Sequence, residues 1–183
     1  MNNRIGFSSL VALAAGLLAG SVQAADPAVP ATWQEHKADF TYFGITSNYS
    51  CSGMEGKVKE LLVQLGARKG DVHVNAGGCG MHDMPFGRML NVNVRFSTLV
   101  PVDPAAAAGA TPPVAAQWTA VEIQPNHPYS MGEGDCELIE QLRDLIGKDF
   151  TSRSLDYRAT CTPHQNGLNS FGVHGEFLKA PTT

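Results

Sequence analysis

Residues 51–79 read CSGMEGKVKELLVQLGARKGDVHVNAGGC, and the order of their parts decides the fold. Met54, Val58, Leu61, Leu62 and Leu65 recur at helical spacing until Gly66, a residue suited to stopping a helix. Arg68 to Gly70 form a short polar connection, and Val72-His73-Val74-Asn75-Ala76 then alternates as a half-buried strand does. A cysteine stands at each end, Cys51 before the helix and Cys79 after the strand. A helix that returns through a tight turn into a strand runs antiparallel to it, so the helix start lies beside the strand end. Cys51 and Cys79 are therefore expected to pair.

Working outward, Ala38–Ile45 is rich in β-formers, and Leu90, Val92, Val94 and Phe96 alternate with Asn91, Asn93 and Arg95. The same order recurs around residues 136–161, CELIEQLRDLIGKDFTSRSLDYRATC. Trp118–Ile123 is strand-like, and Leu138, Ile139, Leu142, Leu145 and Ile146 predict a helix ended by Gly147. Leu155, Tyr157 and Ala159 alternate up to Cys161, and Phe171, Val173 and Phe177 alternate in a closing strand. The pattern strand, Cys, helix, strand, Cys, strand is thus used twice, with little local identity between the copies. From Cys51 to Gly66 is fifteen positions and from Cys136 to Gly147 eleven. The difference, about one helical turn, keeps both cysteines on a similar face. Cys136–Cys161 is the second expected bridge.

The fold class that follows is α+β: two βαββ units forming a mixed sheet with two helices packed on one face, ferredoxin-like in spirit and stapled by disulfides. Within each unit the first two strands should be parallel, joined by a right-handed crossover, with the third antiparallel. The helix-free face would carry His73, Asn75, Asn91, Asn93, Arg95, Asp156, Arg158, His174 and Glu176. The units are expected at residues 38–100 and 118–180. Between them residues 101–117, PVDPAAAAGATPPVAAQ, read as a mobile Ala/Pro-rich linker, and residues 25–37 as a mobile lead.

Compartment is read from the other end of the chain. Asn2, Asn3 and Arg4, an apolar stretch over Leu10–Leu18 and Val22-Gln23-Ala24 have the three parts of a secretory signal peptide, residues 1–24. The apolar stretch, broken by Gly16 and Gly20, is shorter than the ~20 residues a membrane span needs. Export to the periplasm or beyond the cell places four cysteines in an oxidising compartment, where two disulfides are the default. Redox catalysis is disfavoured because no Cys-x-x-Cys exists and no Lys or Arg adjoins a cysteine. Zinc is disfavoured because knuckle spacings are absent.

The whole chain of 183 residues has 13 Lys+Arg against 17 Asp+Glu and a net charge of −4. Cleavage after residue 24 removes Arg4 and no acidic residue, which moves the charge to −5. That balance argues against nucleic acid or anionic lipid as partner. With 43% hydrophobic and 16% charged residues the composition is globular.

Few residues suggest chemistry. Met81, His82 and Met84 follow Cys79, and His127 and Met131 occupy the loop before the second helix. Thioether and imidazole together suit copper, so these five are the candidate soft-metal ligands and copper the one cofactor the set fits; none is otherwise expected. Gly77-Gly78-Cys79-Gly80 lacks the Lys-Ser/Thr of a phosphate loop, and one inserted glycine would instead bring Cys79 into phase with the helix. Glu133, Asp135 and Glu137 suit the dipole at a helix start, with Asp135 as N-cap. No Gly-x-Ser-x-Gly or His-Glu-x-x-His segment is present. The expectation is a non-catalytic binding or accessory protein of the cell envelope. Its partner would be a protein, an envelope polymer or a small ligand. The alternatives are a periplasmic copper binder and an enzyme that uses the polar sheet face.

Overall fold

A computed structural model describes residues 26–79, 89–103 and 112–181. The signal-peptide reading, Met81, His82, Met84 and the middle of the 101–117 stretch lie outside the described residues. The elements run β1 (Val29–Phe43), α1 (Cys51–Gln64), β2 (His73–Gly77), β3 (Met89–Pro101), β4 (Val114–Ile123), α2 (Cys136–Asp149), β5 (Ser152–Thr160) and β6 (Ser170–Lys179). Short 3-10 turns, Glu133–Asp135 and Asn166–Leu168, precede α2 and β6. The fold is α+β with one six-stranded sheet, two helices and two disulfides.

The strand order is β2-β3-β1-β4-β6-β5, and every neighbouring pair is antiparallel. This corrects the expected mixed sheet. β1 and β2 do share a direction, but β3 lies between them, and β6 lies between β4 and β5. The physical reason is a slot. A helical crossover sets its two strands one strand-width apart, and the third strand fills the gap, antiparallel to both.

Both helices join a single core with one face of the sheet. Met54, Val58, Leu61 and Leu62 of α1 and Leu138, Ile139, Leu142 and Ile146 of α2 share it with Leu90, Val92, Val94, Phe96, Ile123, Val173 and Phe177. Phe96, Phe150 and Phe177 form a chain of ring contacts with centroids 5.5 and 6.2 Å apart. The alternation on β3 that predicts this face is the alternation observed.

The strands are longer than their β-former patterns. β1 starts at Val29 rather than Ala38, so residues 29–37 form strand where a mobile lead is expected. β4 starts at Val114, inside the expected linker. Neither segment is rich in β-formers. They are held by pairing: residues 31–37 face 101–95 of β3, and Val29, Pro30 and Ala31 face Ala116, Ala115 and Val114, where among the described residues the two half-sheets join. Tertiary pairing here overrides local propensity.

Gly147 does not stop α2, which runs on to Asp149, so both helices have 14 residues. The last turn survives because its end is anchored. The Asp149 carbonyl accepts from Thr98 Oγ1 at 3.0 Å, and its carboxylate lies 3.6 Å from His36 Nδ1. Gly66 does follow α1, at φ +110, where a Cβ would meet the Leu178 carbonyl at 3.1 Å.

The disulfides are Cys51–Cys79 and Cys136–Cys161, with Cα separations of 5.7 and 5.6 Å. Gly78, at φ +90, stands between the end of β2 and Cys79. Val74 and Ala76 face the core, so the residue in the left-handed region absorbs the one-residue phase difference that would turn Cys79 away. Each bridge spans fewer than thirty residues, with sequence separations of 28 and 25. Replacing Cys51 and Cys79 together by Ser should lower the unfolding free energy by about 3.5 kcal/mol in denaturant titration. A loss below ~1 kcal/mol would show that the bridge does not constrain the unfolded chain as chain entropy requires.

Candidate functional site

The helix-free face is the surface the fold leaves open. Register places Lys37, Asp39 and Thr41 of β1 opposite Arg95, Asn93 and Asn91 of β3, with His73 and Asn75 of β2 beyond. On the other half Asp156 faces His174, Arg153 faces Glu176, and Glu122 faces His174. The nine polar residues assigned to this face by alternation therefore share it. Lys37, Asp39, His73, Asn75, Asn93 and Arg95 line a shallow depression of about 540 Å³, within the size range of small-ligand sites.

The centre of this face is apolar, which alternation did not reveal. Ala31, Leu99, Ala116 and Leu178 are buried there, packed against Val29, Trp33, Val114 and Trp118. Trp33 is the fifth residue of β1 and Trp118 the fifth of β4. An arginine covers each indole: the Arg68 guanidinium sits 5.4 Å from the Trp33 ring centre and that of Arg153 4.9 Å from Trp118. Arg68 is steadied by Asp71 at 3.6 Å. Arg153 binds Glu176 at 2.7 and 3.0 Å and also contacts Asp26. Those two bonds from Arg153 hold the Glu176 carboxyl below the usual carboxylate range. The signal that would have found the pair is the tryptophans' common strand position. It was obscured because residues 29–37 carry too few β-formers to read as strand.

On the helix side the acidic cluster is a clasp between the halves. Glu137, in the first turn of α2, accepts from the Ile45 and Thr46 backbone N–H groups at 2.8 and 3.1 Å and from Thr46 Oγ1 at 3.0 Å. Gln141, one turn on, exchanges hydrogen bonds with the backbone of Phe43 at 3.1 and 3.3 Å, closing the exposed edge of β1. Asp135 holds the N-cap position of α2, but its side chain makes no capping bond to that helix. It accepts instead from Tyr49 Oη, from Lys57 Nζ at 3.0 Å and from the Gly132 N–H at 2.7 Å. Asp135 and Glu137 are 5% and 6% exposed, too buried to be explained by the helix dipole alone. Each is taken up by donors of the first half, so their role is cohesion.

Thr98, His36 and Asp149 stand in the order of a nucleophile, a base and an acid. Thr98 Oγ1 is 2.8 Å from His36 Nε2, and His36 Nδ1 is 3.6 Å from Asp149. The hydroxyl is 2% exposed and already donates to the Asp149 carbonyl. With its proton engaged by a backbone carbonyl, the trio ties the end of α2 to β1 and β3.

Of the soft-metal candidates only His127 and Met131 are described. They lie in one tight turn, where Asn126 donates to the Met131 carbonyl at 2.7 Å and a cis peptide joins His127 to Pro128. Met131 is 1% exposed and belongs to the core, whereas His127 is exposed. The turn therefore does not aim the two side chains at a common point. Among the described residues no group of three or more His, Cys, Asp or Glu is arranged to hold a metal ion. No helix is long and apolar enough to cross a membrane among those residues.

Compared with protein families, with curated proteins and with solved structures, the chain matches none of them.

Glu137→Ala removes the one acceptor shared by the Ile45 and Thr46 N–H groups and Thr46 Oγ1 and should cost about 2 kcal/mol in denaturant unfolding. Burial, followed by neighbouring carboxylates, raises the Tyr42 and Tyr49 phenols well above their ordinary value, and burial raises Tyr157 to about 12. A raised folded pKa leaves stability complete below the unfolded value, about 10, and erodes it as pH climbs toward the folded one. The melting temperature should hold on approach to pH ~10 and then fall, with phenolate absorbance appearing together with unfolding. Phenolate absorbance well ahead of unfolding would contradict the packing described.

Proposed function

We propose that this chain is a small exported, disulfide-stabilised, non-catalytic binding or accessory protein of the cell envelope, periplasmic or secreted. Its helix-free sheet face is the contact surface. The observation that carries this reading is the face itself. Two arginine-covered tryptophans flank the half-sheet seam, and the polar depression over β2, β3 and β1 opens beside them. With the indole faces taken by the arginines and the seam, the amide, imidazole and guanidinium groups of the depression suit a polar partner rich in hydrogen-bond acceptors. The Thr98–His36–Asp149 trio is engaged in cohesion, which supports binding over turnover. Two disulfides fit an oxidising compartment, and residues 1–24 supply the export signal.

We also infer that the two halves are copies of one ferredoxin-like βαββ unit. The first residues of β1 and β4, the two tryptophans, the helix-starting cysteines and the two arginines recur at one interval. From 29 to 114, 33 to 118, 51 to 136 and 68 to 153 it is 85 positions. Local identity is low, but the agreement of strand, helix, sulfur and cation–π positions supports duplication.

The test uses the oxidised mature protein, residues 25–183, in thermal-shift and calorimetric titration. The probes are soluble cell-wall fragments, short acidic peptides and cuprous ion. At least one of the organic probes should stabilise the protein, and Asn93→Ala with Arg95→Ala should abolish that gain without changing the unfolding free energy of the unliganded protein by more than ~1 kcal/mol. Chemical conversion of a probe would overturn the reading. So would stabilisation by copper alone that His127→Ala removes. In a Gram-negative host the recovered protein should begin at Ala25 and carry no free thiol.

A further inference from the structure

We propose that β5 is a self-complementary edge through which two copies of this chain pair, antiparallel and centred on Tyr157, to extend the sheet across a dimer. β5 closes one end of the sheet and has nine residues, whereas the opposite edge, β2, has five. The two edges are treated differently. On β2 the outward N–H of Ala76 is already taken by the Glu55 carboxylate at 3.0 Å. On β5 no such bond is made among the described residues, although Glu140 lines the groove beside Ala159. A longer groove of about 770 Å³ runs between α2 and β5, lined among others by Arg143, Lys148, Leu155 and Tyr157. Access to the strand edge is open.

Register identifies which backbone groups are free. Leu178 donates to Thr151, so the even-numbered residues of β6 point toward β5. Their partners Asp156, Arg158 and Thr160 are therefore bonded inward, and Tyr157 and Ala159 present N–H and C=O outward. The bulge between Arg153 and Asp156, with Ser154 at φ +55, ends the straight portion. The usable edge is thus residues 155–160, whose side chains alternate between Leu155, Tyr157 and Ala159 on the helix side and Asp156, Arg158 and Thr160 on the open side.

Charge then selects one register. With the dyad at Tyr157, each Asp156 faces the other copy's Arg158, and Leu155 faces Ala159. Moving the dyad one residue back sets Asp156 against Asp156, and one residue forward sets Arg158 against Arg158. Directly opposed like charges are destabilising and opposite charges favourable. Within one chain Arg158 already bonds Asp156 at 2.6 Å, with the two side chains 75% and 52% exposed, so the pair is available to be shared across the seam. An unprotected edge of this length invites pairing, and the Asp-x-Arg order makes the chain its own best-matched partner in an isologous contact.

Analytical ultracentrifugation of the oxidised mature protein over a wide concentration range tests this. The natural sequence should show a monomer–dimer equilibrium. Asp156→Arg and Arg158→Asp should each weaken the dimer about ten-fold or more, and the double exchange Asp156→Arg with Arg158→Asp should restore it. Mixing the two single variants should give a heterodimer. Ala159→Pro, which removes an outward donor at a position where an edge strand tolerates proline, should also abolish pairing while circular dichroism and both disulfides stay intact. A natural chain that is monomeric throughout would overturn the proposal. Dimers unaffected by both charge reversals, or a purified chain whose β5 is blocked by a co-purifying foreign peptide, would overturn it equally.

Discussion

Each half of this structure is organised around a sulfur link between the first residue of its helix and the end of the strand that follows it. Cys51 opens α1 and meets Cys79 just beyond β2; Cys136 opens α2 and meets Cys161 just beyond β5. The link holds each helix antiparallel to that strand and seats its apolar stripe on the sheet. The slot left between the two crossover strands accepts the third strand, so β3 and β6 become the middle strands of their half-sheets. The short reach of a disulfide, under 6 Å between Cα atoms here, leaves little freedom in where the helix starts.

Joining the halves falls to other forces. The half-sheets pair over only Val29–Ala31 and Val114–Ala116, too little to hold two modules in register. The shared apolar core is joined by α2, whose N-terminal carboxylates bind the 45–46 backbone, Tyr49 and Lys57 of the first half. Its C-terminal Asp149 binds His36 and Thr98. A buried carboxylate is costly unless several donors satisfy it, and Asp135 and Glu137 each have three or more. The described residues leave no buried side-chain nitrogen or oxygen without a partner. The acids that look like dipole compensation are therefore the polar glue of the molecule.

One face of the sheet is spent on the core and the other is free for recognition. On the free face the charged arms are legible from alternation, because polar and apolar residues take turns on β3 and β6. The tryptophan seam was not legible. Trp33 falls among residues with weak strand propensity, and its arginine comes from the turn after α1, 35 positions away. The metal set shows the opposite failing. Met131 sits close to His127 in sequence, but burial turns it into the core, and proximity along the chain says nothing about direction.

The amino-acid order alone determined the helices, the core face of the strands and both cysteine pairings, because each depends on local periodicity or on a helix and strand joined by a short turn. It determined the polar residues of the open face for the same reason. Only the tertiary structure decided the strand order, the length of β1 and β4, the continuation of α2 past Gly147 and the use of Asp135 and Glu137. Each of those depends on partners outside the local stretch, such as Thr98 and Asp149, 51 positions apart, or Ile45 and Glu137, 92 apart. Pairing and burial over such distances supply free energies that no stretch of the chain carries within itself, so they can overrule its local preferences.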